Sequence, residues 1–186
     1  MYASIVRRLT MGAALVLCFG HLSGAAIADE PRRKEPGVIS MTLVGALSDE
    51  HRAKILRAVN EWNVALNGKL HLELLADANQ SPIWTIVAVT ESSRHSGPQA
   101  LGLALPFPNG GGVVLVHLDK IGRRDVGGVI RHELGHVLGL RLDGSQRLTA
   151  ASYGARDHMC IDYPAMAQVA ALHRLELGNL KWCGER

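Results

Sequence analysis

Each thing this 186-residue chain lacks removes a class of function. It carries no strong charge of either sign. The formal net charge is +3, and taking Arg7 and Arg8 away with the acid-free stretch 1–28 leaves 3 − 2 = +1. So weak a field argues against nucleic acid or an anionic membrane as the main partner. No apolar run approaches the roughly 20 residues that cross a bilayer, so no stable membrane insertion is expected. Cysteine is scarce, with Cys18, Cys160 and Cys183 the three in the chain. Nor is there room between a short polar tail and the first strand for a folded inhibitory segment.

What is present begins with an export signal. Arg7 and Arg8 supply the positive end, Leu9 to Phe19 the short apolar core, and Ala26-Ile27-Ala28 the small-x-small cleavage site. Residues 1–28 are therefore expected to leave on export, to the outside or to a periplasm, and Cys18 leaves with them. Cys160 and Cys183 remain as an even pair in an oxidising compartment, where a disulfide between them is expected. Residues 29–37, with Pro31, Pro36 and the run Arg32-Arg33-Lys34, read as a polar tail. Residues 38–186, about 150 in number, suffice for one domain with its own core, expected to act as a monomer.

Periodicity orders that domain. Residues 38–44 are apolar and β-branched enough for a strand. Ser48 followed by Asp49 and Glu50 gives a cap and an acidic first turn, and Ile55, Val59, Trp62 and Leu66 recur at helical spacing until Asn67-Gly68. Leu70, Leu72 and Leu74 alternate with polar residues as a half-buried strand, and 83–90 is a more continuous apolar strand. Residues 101–105 and 113–118 flank a turn rich in proline and glycine, which reads as a hairpin. Near the end Pro164 opens a helix with Asp162 or Tyr163 at its cap, and Met166, Val169, Leu172 and Leu175 extend an apolar stripe towards Gly178.

The chemistry lies in Val129-Ile130-Arg131-His132-Glu133-Leu134-Gly135-His136-Val137-Leu138-Gly139-Leu140. His132 and His136 stand one helical turn apart on one face, close enough to share one metal ion. Ile130, Leu134, Val137 and Leu138 fall on the other side for burial. Two neutral imidazoles hold Zn²⁺ without cancelling its charge, and a third ligand would leave an open position for a water whose pKa falls to roughly 7. Glu133 is placed to act as general base on that water as it attacks a peptide carbonyl. An ordinary amphipathic helix would explain neither Glu133 between the histidines nor Gly135 and Gly139, each of which costs about 1 kcal/mol inside a helix relative to alanine.

The stretch His132-Glu133-Leu134-Gly135-His136-Val137-Leu138-Gly139-Leu140 resembles the active-site helix of the metzincin zinc endopeptidases, particularly their matrixin and snapalysin-like branches. The resemblance implies an α+β fold: a mixed twisted sheet, a long packing helix, the active-site helix and a C-terminal helix. It implies that Gly139 ends the active-site helix and that a third zinc ligand follows three residues later. Leu142 occupies that place here, with Asp143 next. Asp143 is the first candidate for the third ligand and His158 the second, with Asp157, Glu176 or no third ligand the remaining alternatives. Met159 matches the methionine that the family sets in a turn beneath the metal, a packing role. Gly102, Leu103, Ala104 and Leu105 match the strand on which an extended protein or peptide substrate adds by backbone hydrogen bonds. His117 and Asp119 resemble a structural metal site of matrixins, but the segment 92–109 offers no companion beyond His95. They are read as ordinary residues.

The expected activity is that of a secreted zinc-dependent endopeptidase. The competing expectation is a metzincin-like domain that binds peptide or protein and has lost catalysis with its third ligand. A zinc peptidase of another clan, with a distant acid as its last ligand, fits Gly139 and Met159 less well.

Overall fold

The computed structural model describes residues 37–76, 82–90, 100–108, 110–121, 125–141, 148 and 160–184. The expected signal at 1–28 and nearly all of the tail lie outside these residues, as do Asp143, Asp157, His158 and Met159.

Strand β1 (Gly37–Val44) leads into helix α1 (Asp49–Leu66), whose start follows from Ser48: its hydroxyl accepts the His51 N–H at 3.2 Å while Asp49 and Glu50 complement the helix dipole. The apolar positions of α1, Ile55, Ala58, Val59, Trp62, Ala65 and Leu66, are all buried. Asn67 ends it in the left-handed region at φ 48°, followed by Gly68 at φ 71°. In β2 (Leu70–Leu74), Leu70 and Leu72 are buried while His71 and Glu73 face out, the alternation of a sheet with one covered face. The next strand, β3 (Trp84–Val89), buries Trp84, Ile86 and Ala88 in the same rhythm.

A hairpin then joins β4 (Gly102–Pro106) to β5 (Gly112–His117). Its turn needs glycine at 111, where φ is +71° and a Cβ would stand 2.0 Å from the Ile83 carbonyl oxygen. The five strands form one sheet in the order β2-β1-β3-β5-β4, with the hairpin pair antiparallel and every other pair parallel. This is a mixed α+β fold. On the β2 edge one side chain occupies the backbone of Leu72: Asn63 of α1 donates to Leu72 O at 2.9 Å and accepts from Leu72 N–H at 2.8 Å.

After β5 the chain does not run on as a strand through Leu118, as expected, but turns into the short helix α2 (Leu118–Ile121). Helix α3 (Val126–Val137) is capped by Asp125, whose carboxylate accepts from Gly127 and Gly128 N–H at 3.1 and 3.0 Å. It packs on α1 through two specific contacts. Fully buried Trp62 donates from Nε1 to Arg131 O at 3.0 Å, and the Arg131 guanidinium pairs with Glu61, Nε to Oε2 at 2.7 Å. Helix α4 (Tyr163–His173) is capped by Asp162, which accepts from Ala165 N–H at 3.2 Å. It stops short of the expected Gly178, because Arg174 takes the left-handed conformation at φ 54°. Leu172, within the helix, is exposed rather than on a buried stripe, and the chain reaches the core again at Leu180 after the 3₁₀ turn Leu177–Asn179.

Cys160 and Cys183 form a disulfide, with Cα atoms 5.9 Å apart, and Cys183 N–H donates to Ile161 O beside it. Thiol titration of the denatured, unreduced protein should find neither cysteine free. Reduction should lower stability by about 3 kcal/mol, the chain-entropy cost of opening a loop of some two dozen residues. Among the described residues, no helix is long and apolar enough to cross a membrane.

Candidate metal centre

Helix α3 is buried on nearly all sides, and His132 and His136 are its half-buried positions. Backbone carbonyls orient both rings. His132 Nδ1 lies 2.7 Å from Leu148 O, and His136 Nδ1 lies 2.7 Å from Leu140 O. The second contact depends on Gly139. With φ at +90° it turns the chain after Leu138, so that the next carbonyl folds back onto the His136 ring. Helix α4 fastens this corner through a 2.9 Å contact between His173 Nε2 and Leu138 O.

A carbonyl only accepts, so each Nδ1 must carry its proton, and in a neutral ring Nε2 then presents its lone pair. Those two Nε2 atoms are 3.1 Å apart. Two lone pairs cannot hydrogen-bond each other, and the approach becomes favourable when a cation, a proton or a metal ion, lies between them. Zinc–nitrogen bonds of roughly 2.0–2.1 Å across that gap would meet at about 100°, near the tetrahedral angle. A ring held by a carbonyl behind and a metal in front is the usual arrangement of a histidine ligand. The donor set fits zinc.

Glu133 completes the group. Among the described residues, His132, Glu133 and His136 are the cluster able to hold a metal, with donor atoms all within 4.8 Å of one another. Glu133 Oε1 is 4.0 Å from His132 Nε2, and Oε2 is buried with no hydrogen-bond partner. Burial pushes the Glu133 carboxyl up to about 8 from an ordinary 4.5, and a hydrogen bond from Ala104 N–H offsets part of that rise. An acid raised in the folded state contributes stability that is present below its unfolded value and lost as pH rises through its folded value. The metal-free protein should therefore lose on the order of 3–5 kcal/mol between about pH 4.5 and pH 8. Glu133→Gln should flatten that slope. Denaturant melts in chelator across this range measure it, and equal slopes for the two proteins would refute it.

The remaining candidates fall in three places. Gly102, Leu103, Ala104 and Leu105 lie in β4, the strand that reaches Glu133 through Ala104. Glu176 is exposed, accepts from Asn179 Nδ2 at 2.7 Å and is not in the cluster. Asp143, His158 and Met159 lie outside the described residues. His117 ends β5 while Asp119 sits in α2, so the two do not share one face of a strand. His117 is fully buried, neither ring nitrogen has a hydrogen-bond partner, and burial holds its pKa below the ordinary value. Sequence reasoning missed the groups that act through the backbone: Leu140 O, Leu148 O and Ala104 N–H. Only Gly139 hinted at the first.

No family model and no curated protein matches the chain. Among solved structures it is similar to myroilysin, at 16% identity and a TM-score of 0.42 over 63% of this chain and 57% of that one. It is similar to high choriolytic enzyme 1, a hatching enzyme zinc-protease from Oryzias latipes (medaka fish), at 14% identity and a TM-score of 0.44 over 75% and 90% of the two chains. A third similarity, to the GM1-bound form of the ECX AB5 holotoxin, has 15% identity and a TM-score of 0.39 over 59% and 55%. The chain thus spans little more than half the length of the first and third.

Proposed function

We propose that this protein is an exported zinc-dependent endopeptidase of metzincin type, with His132 and His136 as zinc ligands and Glu133 as general base. One observation carries the reading: both Nδ1 atoms are committed to carbonyls while the two Nε2 atoms converge to 3.1 Å beside a buried carboxylate. When bound, zinc supplies a Lewis acid that polarises the scissile carbonyl and acidifies water. The chain's own residues do the rest. Glu133 takes the proton of the attacking water at Oε2, the oxygen with no other partner, and returns it to the departing amine. Trp62, Glu61 and Arg131 hold α3 against α1, so that the histidines and the base keep one geometry. Asp143 is the first candidate for the third ligand and His158 the second. The disulfide between Cys160 and Cys183 is of the kind that persists in oxidising compartments, which supports export.

The test is cleavage of casein or gelatin by the mature chain. Hydrolysis should be lost on chelation and recovered when zinc is restored. One bound zinc per chain without any hydrolysis would instead favour the catalytically impaired, peptide- or protein-binding reading.

A further inference from the structure

Strand β4 meets Glu133 at two points. A Cβ built on Gly102 would stand 2.5 Å from Glu133 Oε1, 2.7 Å from its Cγ and 2.8 Å from its Cδ. Three atoms of one buried side chain thus fill the space that any other residue at 102 would need. Two positions on, the Ala104 N–H reaches the same carboxylate, whose Oε2 has no other partner.

The register shows which amide this is. His117 N–H donates to Leu101 O and Phe107 N–H to Gly111 O, with Leu103 opposite Leu115 and Leu105 opposite Val113 between them. Bonded and non-bonded pairs alternate in an antiparallel ladder, so 101, 103, 105 and 107 bond to β5 while 102, 104 and 106 turn their backbone groups to the free edge. The Ala104 amide is therefore an edge amide. Pro106 has no N–H to offer there, and on the far edge of the sheet Asn63 already takes the backbone groups of Leu72. Glu133 takes the edge donor directly beside the space left open by Gly102.

We propose that Gly102 is a positioning residue for Glu133. Its missing side chain lets the carboxylate lie against β4 beside the Ala104 amide, with Oε2 left available for the proton. The inference rests on the hydrolytic reading above for its functional meaning, and on geometry alone for the contact itself. A methyl group at 102 displaces the carboxylate from that amide, and the base is no longer held in one place.

A double-mutant cycle between Gly102→Ala and Glu133→Ala tests the contact on metal-free protein. Gly102→Ala should lower the urea midpoint of the parent chain but leave that of Glu133→Ala unchanged, because the methyl group enters space the carboxylate has vacated. If Gly102→Ala alone does not fold, recovery of folding in the double variant supports the same conclusion. Equal losses in both backgrounds, or a double variant that is also unfolded, would overturn it. On zinc-loaded protein, Gly102→Ala should keep the metal and lower kcat at least tenfold with KM changed less than about twofold. Unchanged kcat would overturn the positioning role. If the parent hydrolyses nothing, the proposed function fails while the cycle still decides the contact.

Discussion

Glu133→Gln should retain zinc and lower peptide hydrolysis by roughly 10²–10⁴-fold, the range supplied by a positioned general base. The substitution preserves shape. The glutamine side chain can keep its one oxygen on the Ala104 amide, and its bulk still fills the space beside Gly102, so α3 and both imidazoles are left undisturbed. What disappears is a group able to accept a proton at the position of Oε2. The loss should fall on kcat and kcat/KM together, as for an interaction made in the transition state only. Burial alone would keep Glu133 protonated at neutral pH, its pKa being pushed up to about 8. A dication between His132 and His136 favours the anion and restores the base. If the two histidines hold zinc as proposed, that same ion is needed for Glu133 to act, and chelation should remove both functions. Steady-state kinetics and metal content of the purified variant measure the effect. Near-parental turnover with zinc bound would end the assignment of Glu133 as base.

His136→Ala should weaken zinc binding at least 100-fold. Even the partners that orient metal ligands are worth roughly 10- to 100-fold, and the proposed role of His136 is that of a donor itself. Leu140 O and the turn at Gly139 aim Nε2 of His136 at the point where Nε2 of His132 also arrives. Removing one ring leaves a single imidazole and the third donor, too few for a tight tetrahedral site. Zinc that binds the folded chain stabilises it by mass action, so the zinc-dependent rise in Tm should vanish with the affinity. The third donor is sought in the same assay. Asp143→Ala should weaken zinc binding, whereas a loss confined to His158→Ala would give that position to the histidine. Zinc affinity unchanged in His136→Ala would remove the metal centre from this helix.

Local rules made much of the architecture legible. Ser48 with Asp49 and Glu50 announces α1, because a side-chain acceptor and two acids complement bare N–H groups within one turn of chain. Leu70 and Leu72 announce β2 because their spacing puts both on one face. The order of strands was not legible: pairing of β1 with both β2 and β3, and of β3 with β5, joins residues far apart in the chain. Helix α4 shows the same limit in miniature. Its apolar spacing continues past His173, yet Arg174 adopts a left-handed cap of the kind more often taken by glycine or asparagine, so the pattern points too far.

At the candidate site, the spacing of His132, Glu133 and His136 was readable since one helix carries all three. The contacts that make the arrangement specific were not. Leu148 O, Leu140 O and Ala104 N–H are backbone groups, and no side-chain pattern announces which carbonyl or amide will face a ring or a carboxylate. Gly102 was legible as part of a strand. That its bareness matters is visible only once Glu133 is placed against it.

The proposed activity depends on Nε2 of His132 and Nε2 of His136 binding one zinc together. Zinc K-edge X-ray absorption on the zinc-loaded mature chain reads that shell of donors without recourse to activity. Two imidazole nitrogens are expected at roughly 2.0–2.1 Å, with the remaining positions taken by oxygen or nitrogen, and one imidazole fewer in His136→Ala. A zinc shell without imidazole, or one that His136→Ala leaves unchanged, would show that the two rings do not share the metal.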